Sequence, residues 1–135
     1  MRDLSALPNL NIALIQTTLA WHDRLANLEH FEQLLEQARG ADLIILPEMF
    51  TTGFSMESET LAEAENGPTS KWLRVQGAKF EAVITGSVIV QAADGSHRNR
   101  LLWARPDGEV LHYDKRHLFR MAGEHKHYTP GERQV

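Results

Sequence analysis

Two short apolar runs flanking an amphipathic stretch limit what this chain can fold into more than any other feature. Asn11-Ile12-Ala13-Leu14-Ile15-Gln16 is the first run, and Leu43-Ile44-Ile45-Leu46, closed by Pro47, is the second. Both have strand length and neither alternates apolar with polar, so each is expected to be a strand buried on both faces. Between them Leu25, Leu28, Phe31, Leu35 and Ala38 recur every three or four residues, with Glu29, Glu32 and Glu36 on other faces. That is the pattern of an amphipathic helix, with Asp23 at its start and Gly40 as its stop. Strand, helix and strand at this spacing form a βαβ unit, which implies two parallel strands.

Beyond Pro47 the pattern changes. Residues 51–67 read as a long polar loop, and Pro68 occupies the first turn of a helix running to about residue 80. Residues 82–90 read as a further strand. Asp94-Gly95 and Pro106-Asp107-Gly108 are turn signals that lead into strands at residues 100–104 and 109–113. The order is βαβ, then αβ, then a meander of hairpins, which fits a mixed α/β layered sheet. Residues 130–135 read as a turn entering another strand, so the chain is expected to stop mid-fold.

Composition narrows the function classes. A 135-residue chain with 42% hydrophobic and 24% charged residues has the make-up of one globular unit, and its net charge of −4 is the wrong sign for general binding to nucleic acid or an anionic membrane. No apolar run is long enough to span a bilayer, and the first eight residues lack the apolar core of a secretory signal, so a cytoplasmic home is expected. Cysteine is absent, which rules out disulfides, thiolate metal sites and a thiol nucleophile within these residues. No Gly-x-Gly-x-x-Gly, Walker or Gly-x-Ser-x-Gly sequence is present, and the three tryptophans, Trp21, Trp72 and Trp103, are dispersed as packing residues.

Three places could carry chemistry. Glu48 follows an apolar strand and Pro47, at the carboxyl end of a parallel strand where α/β sheets form ligand crevices. A carboxylate beside a dry core suits a general base, although spacing alone fits a surface-loop glutamate better. Lys115, in Tyr113-Asp114-Lys115-Arg116-His117-Leu118-Phe119, could stabilise a developing oxyanion, or be one charge of a solvated run. Glu124-His125-Lys126-His127 holds a His-x-His pair that would face one way in an extended segment, with His117 upstream. It matches no established zinc spacing, so no metal site is expected there, and a polar wall at a site mouth is the simpler reading.

The segments Leu46-Pro47-Glu48-Met49-Phe50-Thr51-Thr52-Gly53-Phe54 and Tyr113-Asp114-Lys115-Arg116-His117-Leu118-Phe119, with Asn99 between them and the opening Ile12-Ala13-Leu14-Ile15-Gln16, together resemble the nitrilase superfamily of carbon–nitrogen hydrolases. The resemblance runs from about residue 10 to the end, and Met49-Phe50-Thr51-Thr52-Gly53-Phe54-Ser55-Met56 is most similar to the omega-amidase branch. It implies a four-layer αββα sandwich with mixed β-sheets, of which residues 1–135 would be the N-terminal half. It also implies a small-molecule amide substrate, an ω-amide of a 2-oxo dicarboxylate such as 2-oxoglutaramate, hydrolysed to acid and ammonia without a cofactor. The complete protein would be a homodimer. In that pattern Glu48 is the general base, Lys115 the oxyanion clamp and Glu124 a second glutamate positioning substrate and lysine; Phe50 and Phe119 would line the pocket. The family's cysteine nucleophile is missing, so the chain is expected to be inactive alone, or to act as a non-catalytic half-domain in binding or self-association.

Overall fold

The computed structural model describes residues 7–133. Six strands form one mixed sheet: β1 (Ile12–Leu14), β2 (Leu43–Ile45), β3 (Glu63–Ala64), β4 (Val83–Gln91), β5 (His97–Ala104) and β6 (Val110–Asp114). Three helices intervene: α1 (Arg24–Gln37), α2 (Ser58–Leu61) and α3 (Pro68–Phe80). The main path is β1-β2-β4-β5-β6, with β3 paired to the far end of β4. β1, β2 and β4 are parallel, and β4, β5 and β6 are antiparallel neighbours. The mixed α/β class and the βαβ opening read from the sequence are therefore present.

Local chemistry explains the helices. The Asp23 carboxylate accepts the amide of Ala26 at 3.0 Å, capping α1. Pro68 begins α3, where its missing N–H is not needed. The buried Glu63 carboxylate accepts the backbone amide of Thr69 at 2.8 Å and also the Thr69 hydroxyl, so it satisfies the start of α3 from outside the helix. α1 and α3 lie on the same face of the sheet. Their Leu28, Phe31, Leu35, Leu73 and Phe80 pack with Ile44, Ile84, Val88 and Leu102 in one core.

Side chains alternate along the strands, so the residues pointing away from that core form a second face. Strand pairing aligns Leu14, Ile45, Thr85, Trp103 and Leu111 in one row across it, and Ser87, Leu101 and Tyr113 in the next. Among the described residues no helix covers these rows: Leu14 is 72% exposed, and Trp103 and Leu111 are partly open. Beside β6 this face carries an apolar groove of about 770 Å³ lined by Leu101, Trp103, Leu111 and Tyr113. The described residues thus supply one helical layer and one sheet layer.

Several expectations need correction. β1 is an edge strand with Ile12 and Leu14 on the uncovered face, so only Ala13 packs against the core. Residues 51–67 are not a simple polar loop. They hold α2 and β3, and Thr51, Thr52 and Ser55 are buried. β5 starts at His97 rather than residue 100. Residues 130–133 form no strand, and residues 134–135 of the expected new strand lie outside the described region. Of the tryptophans, Trp72 packs against the core, whereas Trp21 is largely exposed, its ring over Gly53.

Gly86 shows how closely β4 is packed. A Cβ there would stand 2.7 Å from Phe50 Cδ1 and 3.0 Å from Leu46 Cβ. Gly86→Ala should therefore lower stability by about 1–3 kcal/mol in chemical denaturation; an unchanged midpoint would show that Phe50 yields freely. The uncovered face gives a second expectation. The 135-residue chain should self-associate with rising concentration in sedimentation, and a monodisperse monomer with a sharp thermal transition would contradict this.

Candidate active site

The polypeptide turns sharply where β2 ends. Leu46 N–H donates to Thr85 O and Phe50 N–H to Ser87 O, so residues 46–50 stay tied to β4 after the strand itself has ended. Met49 sits between those ties at φ +47°, in the left-handed region unusual for a side chain of its size. Its amide donates to Ser87 Oγ at 2.8 Å, and its side chain is buried beside Ile89 and Tyr128. The strained turn sends Phe50 into the core and leaves Glu48 at the rim of the open face. Expectation and structure part here over Phe50. It is fully buried against Phe31 and Trp72, and it belongs to the core rather than to a pocket.

Lys115 reaches Glu48 across the same face, from the strand at the other edge of the main path. Its amide donates to Asn99 O at 2.9 Å, which extends the β5–β6 pairing by one residue beyond β6. Its ammonium lies 2.7 Å from Glu48 Oε1 and 3.0 Å from Glu124 Oε2. Glu124 opens a 3-10 turn, Glu124–Lys126, and is fully buried. The Phe119 amide also donates to its Oε2 at 2.5 Å. Asn99 closes the cluster: its Nδ2 donates to Glu48 Oε1 at 2.8 Å and to Glu124 Oε1 at 3.0 Å. The three side chains expected to act together do meet, and Asn99 joins them.

 In sequence, Glu48 stands 51 positions from Asn99, 67 from Lys115 and 76 (124 − 48) from Glu124. Only the folded sheet brings the four side chains together.

Two carboxylates and one ammonium give this cluster a formal charge of −1. Burial works against the charge on Glu124. It is outweighed by hydrogen bonds from Phe119 N–H, Asn99 and Lys115, together with the lysine charge, and the carboxyl is held below the ordinary glutamate range. Burial likewise works against the Lys115 ammonium, but its hydrogen bonds to Glu48 and Glu124 and their charges raise it above the ordinary lysine value. Burial, and then the Glu124 charge, also push the Tyr128 hydroxyl upward, so it stays neutral and donates to Ser55 O at 2.6 Å. Glu48 is the open member. Its side chain is 48% exposed, so the dry setting expected for it is not present within this chain.

An ammonium has three N–H donors. The two glutamates engage two of the Lys115 donors, and the third remains for another acceptor. Two concavities adjoin this point. One of about 260 Å³ is lined by Leu46, Glu48, Ser87, Asn99, Tyr113 and Lys115. The other, about 530 Å³, is lined by Glu48, Phe54, Lys115, His117, Leu118 and Phe119. Phe119 therefore stands at the site, half exposed and beside Phe54. Phe54, which the sequence reading left without a role, lies under the lysine with its ring centroid 5.4 Å from Nζ.

The histidine segment is not extended. His125 lies in the Glu124–Lys126 3-10 turn, so the same-side pairing imagined for His125 and His127 does not form, and no metal-holding group of three or more His, Asp or Glu occurs among the described residues. Among those residues no helix is long and apolar enough to cross a membrane.

The carbon–nitrogen hydrolase family model matches residues 11–135. The chain belongs to the carbon–nitrogen hydrolase family. It is 49% identical to an omega-amidase, YafV, of Yersinia enterocolitica, over 96% of this chain and 50% of that one. It is also 27% identical to a 2-oxoglutaramate amidase of Bacillus subtilis, over 89% of this chain and 48% of that one. A CN-hydrolase superfamily structure from Xanthomonas campestris superposes with a TM-score of 0.91 at 46% identity, covering 96% of this chain and 49% of that chain. The chain thus spans about half the length of the curated relatives it matches.

The acid stability of the cluster has a definite sign. The folded Glu124 carboxyl binds its proton less readily than the unfolded one, so its stabilisation is fully present above about pH 4.3 and is lost as pH falls through the lower folded value. Unfolding free energy should therefore fall more steeply between about pH 4.5 and 2.5 in the wild type than in Glu124→Gln. Equal slopes in urea titrations would remove the charge-stabilised role of Glu124.

Proposed function

We propose that this chain carries the general base and oxyanion clamp of an amidase that hydrolyses ω-amides of 2-oxo dicarboxylates, of the 2-oxoglutaramate type, to the acid and ammonia. The observation that carries the reading is the Lys115 ammonium held between Glu48 and Glu124 at the rim of the open sheet face. The names of the omega-amidase and 2-oxoglutaramate amidase relatives support the substrate class. The complete protein is read as a cytoplasmic homodimer that needs no cofactor.

The chemistry requires a thiol, and these 135 residues contain none. In this reading the cysteine comes from polypeptide outside them. Glu48 takes the thiol proton and the sulfur attacks the amide carbon. The carbonyl π pair moves to oxygen, where the free N–H of Lys115 meets the new negative charge. Glu48 returns the proton to the nitrogen as the C–N bond breaks, releasing ammonia and leaving a thioester. Glu48 then takes a proton from water, whose oxygen attacks the thioester, and the acid leaves as the sulfur regains a proton. Glu124 holds the lysine in place throughout.

A second reading rests on the uncovered apolar face and the missing cysteine: a non-catalytic half-domain that associates through that face. Ammonia release separates the two. A polypeptide that also contains the thiol should hydrolyse 2-oxoglutaramate, whereas residues 1–135 alone should not. Glu48→Gln should lower kcat by roughly 10²–10⁴-fold, and Lys115→Ala by roughly 10²–10³-fold, without loss of fold by circular dichroism. Near-normal turnover by either variant would remove these roles.

A further inference from the structure

We propose that Asn99 is a positioning residue that keeps Glu48 and Glu124 as two separate carboxylates around one lysine, so that Glu48 is free to accept a proton; this rests on the amidase reading above. Two carboxylates that converge on one small site tend to share a proton, because their charges repel. A base that already shares a proton cannot take one from a thiol. Lys115 answers one charge and leaves the cluster at −1. Asn99 adds no charge but supplies two more donors, one to each carboxylate, at 2.8 and 3.0 Å. Each glutamate therefore receives one N–H from the lysine and one from the same amide nitrogen.

The other end of the amide shows that this orientation is imposed by the carboxylates. Asn99 is only 2% exposed, and its Oδ1 is buried without a hydrogen-bond partner. Buried amides placed for packing alone normally have both ends paired. Turning this one over would satisfy neither end, since it would set a carbonyl oxygen against two carboxylates. The orphaned oxygen is the consequence of committing both N–H groups to the glutamates. The backbone of Asn99 contributes separately, because its carbonyl accepts the Lys115 amide at 2.9 Å whatever the side chain is. A substitution at this position therefore changes the donors and leaves that strand pairing in place.

The charged and titratable groups facing Glu124 are Lys115 at the end of β6, Glu48 after β2, and Tyr128 beyond the 3-10 turn. Removing Asn99 leaves all three and subtracts only the neutral donors. Asn99→Asp, nearly isosteric, replaces the donors with acceptors and a third negative charge. Asn99→Leu removes them without adding charge.

In the polypeptide that contains the thiol, Asn99→Asp should lower kcat by roughly 100-fold or more while KM changes less than about threefold, and the acid limb of kcat/KM should move up by about one pH unit. Asn99→Leu should move the limb in the same direction by less. A structural role alone would lower the melting temperature and raise KM with the limb unmoved, and that result would overturn the proposal. So would kcat within about threefold of wild type in Asn99→Asp. Carboxyl-carbon NMR titration of Glu124 in wild type and Asn99→Leu needs no turnover. An upward shift in the variant supports the proposal, and superimposable curves overturn it. If the wild type hydrolyses no ω-amide, the amidase reading fails, and the titration still decides whether Asn99 separates the carboxylates.

Discussion

The Lys115 ammonium between two carboxylates is the interaction on which the rest of the site depends. Without it, Glu48 and Glu124 would repel, and a fully buried glutamate would have no counter-charge. With it, the end of β2, the end of β6 and the 3-10 turn at Glu124 are held at one point. The arrangement is asymmetric. Glu124 is enclosed and hydrogen-bonded to backbone and amide, whereas Glu48 faces open space. Such an asymmetry suits one glutamate to hold the lysine and the other to exchange protons.

The sheet makes that meeting possible. Parallel β1, β2 and β4 place the exit from β2 at one end, and the antiparallel hairpins return Asn99 and Lys115 to the same end on the same face. That face is the apolar one that no helix of the described residues covers. The cluster at its rim and the groove of Leu101, Trp103, Leu111 and Tyr113 beside β6 are therefore continuous surfaces of one sheet. Covering the face with further protein would also dry the site, which strengthens every charge interaction within it.

Periodicity carried much of the fold. The Leu28, Phe31 and Leu35 spacing of α1, its Asp23 cap, Pro68 at the start of α3 and the two glycine turns were all readable, because each acts over a few residues, whereas Leu25 of the same pattern is exposed. Glu48, Lys115 and Glu124 were readable only through resemblance to a family, since nothing local distinguishes them from solvated charges. Phe50 misled because an apolar residue after a strand can point either way, and the left-handed Met49 decides which. The buried polar residues of 51–58 misled for a related reason: their hydrogen-bond partners, such as His22 for Ser55 and His127 O for Ser58, are far away in sequence. β1 was expected to be buried because its composition matches an inner strand, yet burial depends on neighbours that its sequence does not contain. The amide bridge of Asn99 is a three-element contact and has no local signal at all.

The role of Glu48 as the base comes down to one distance. In a crystal structure of a polypeptide that contains both these residues and the cysteine, the sulfur should lie within hydrogen-bond reach of a Glu48 carboxylate oxygen, about 3.5 Å or closer, on the side where Lys115 has its free N–H. A cysteine sulfur that stands well beyond that reach, with Glu48 directed away from it in both free and substrate-bound crystals, would contradict the assignment.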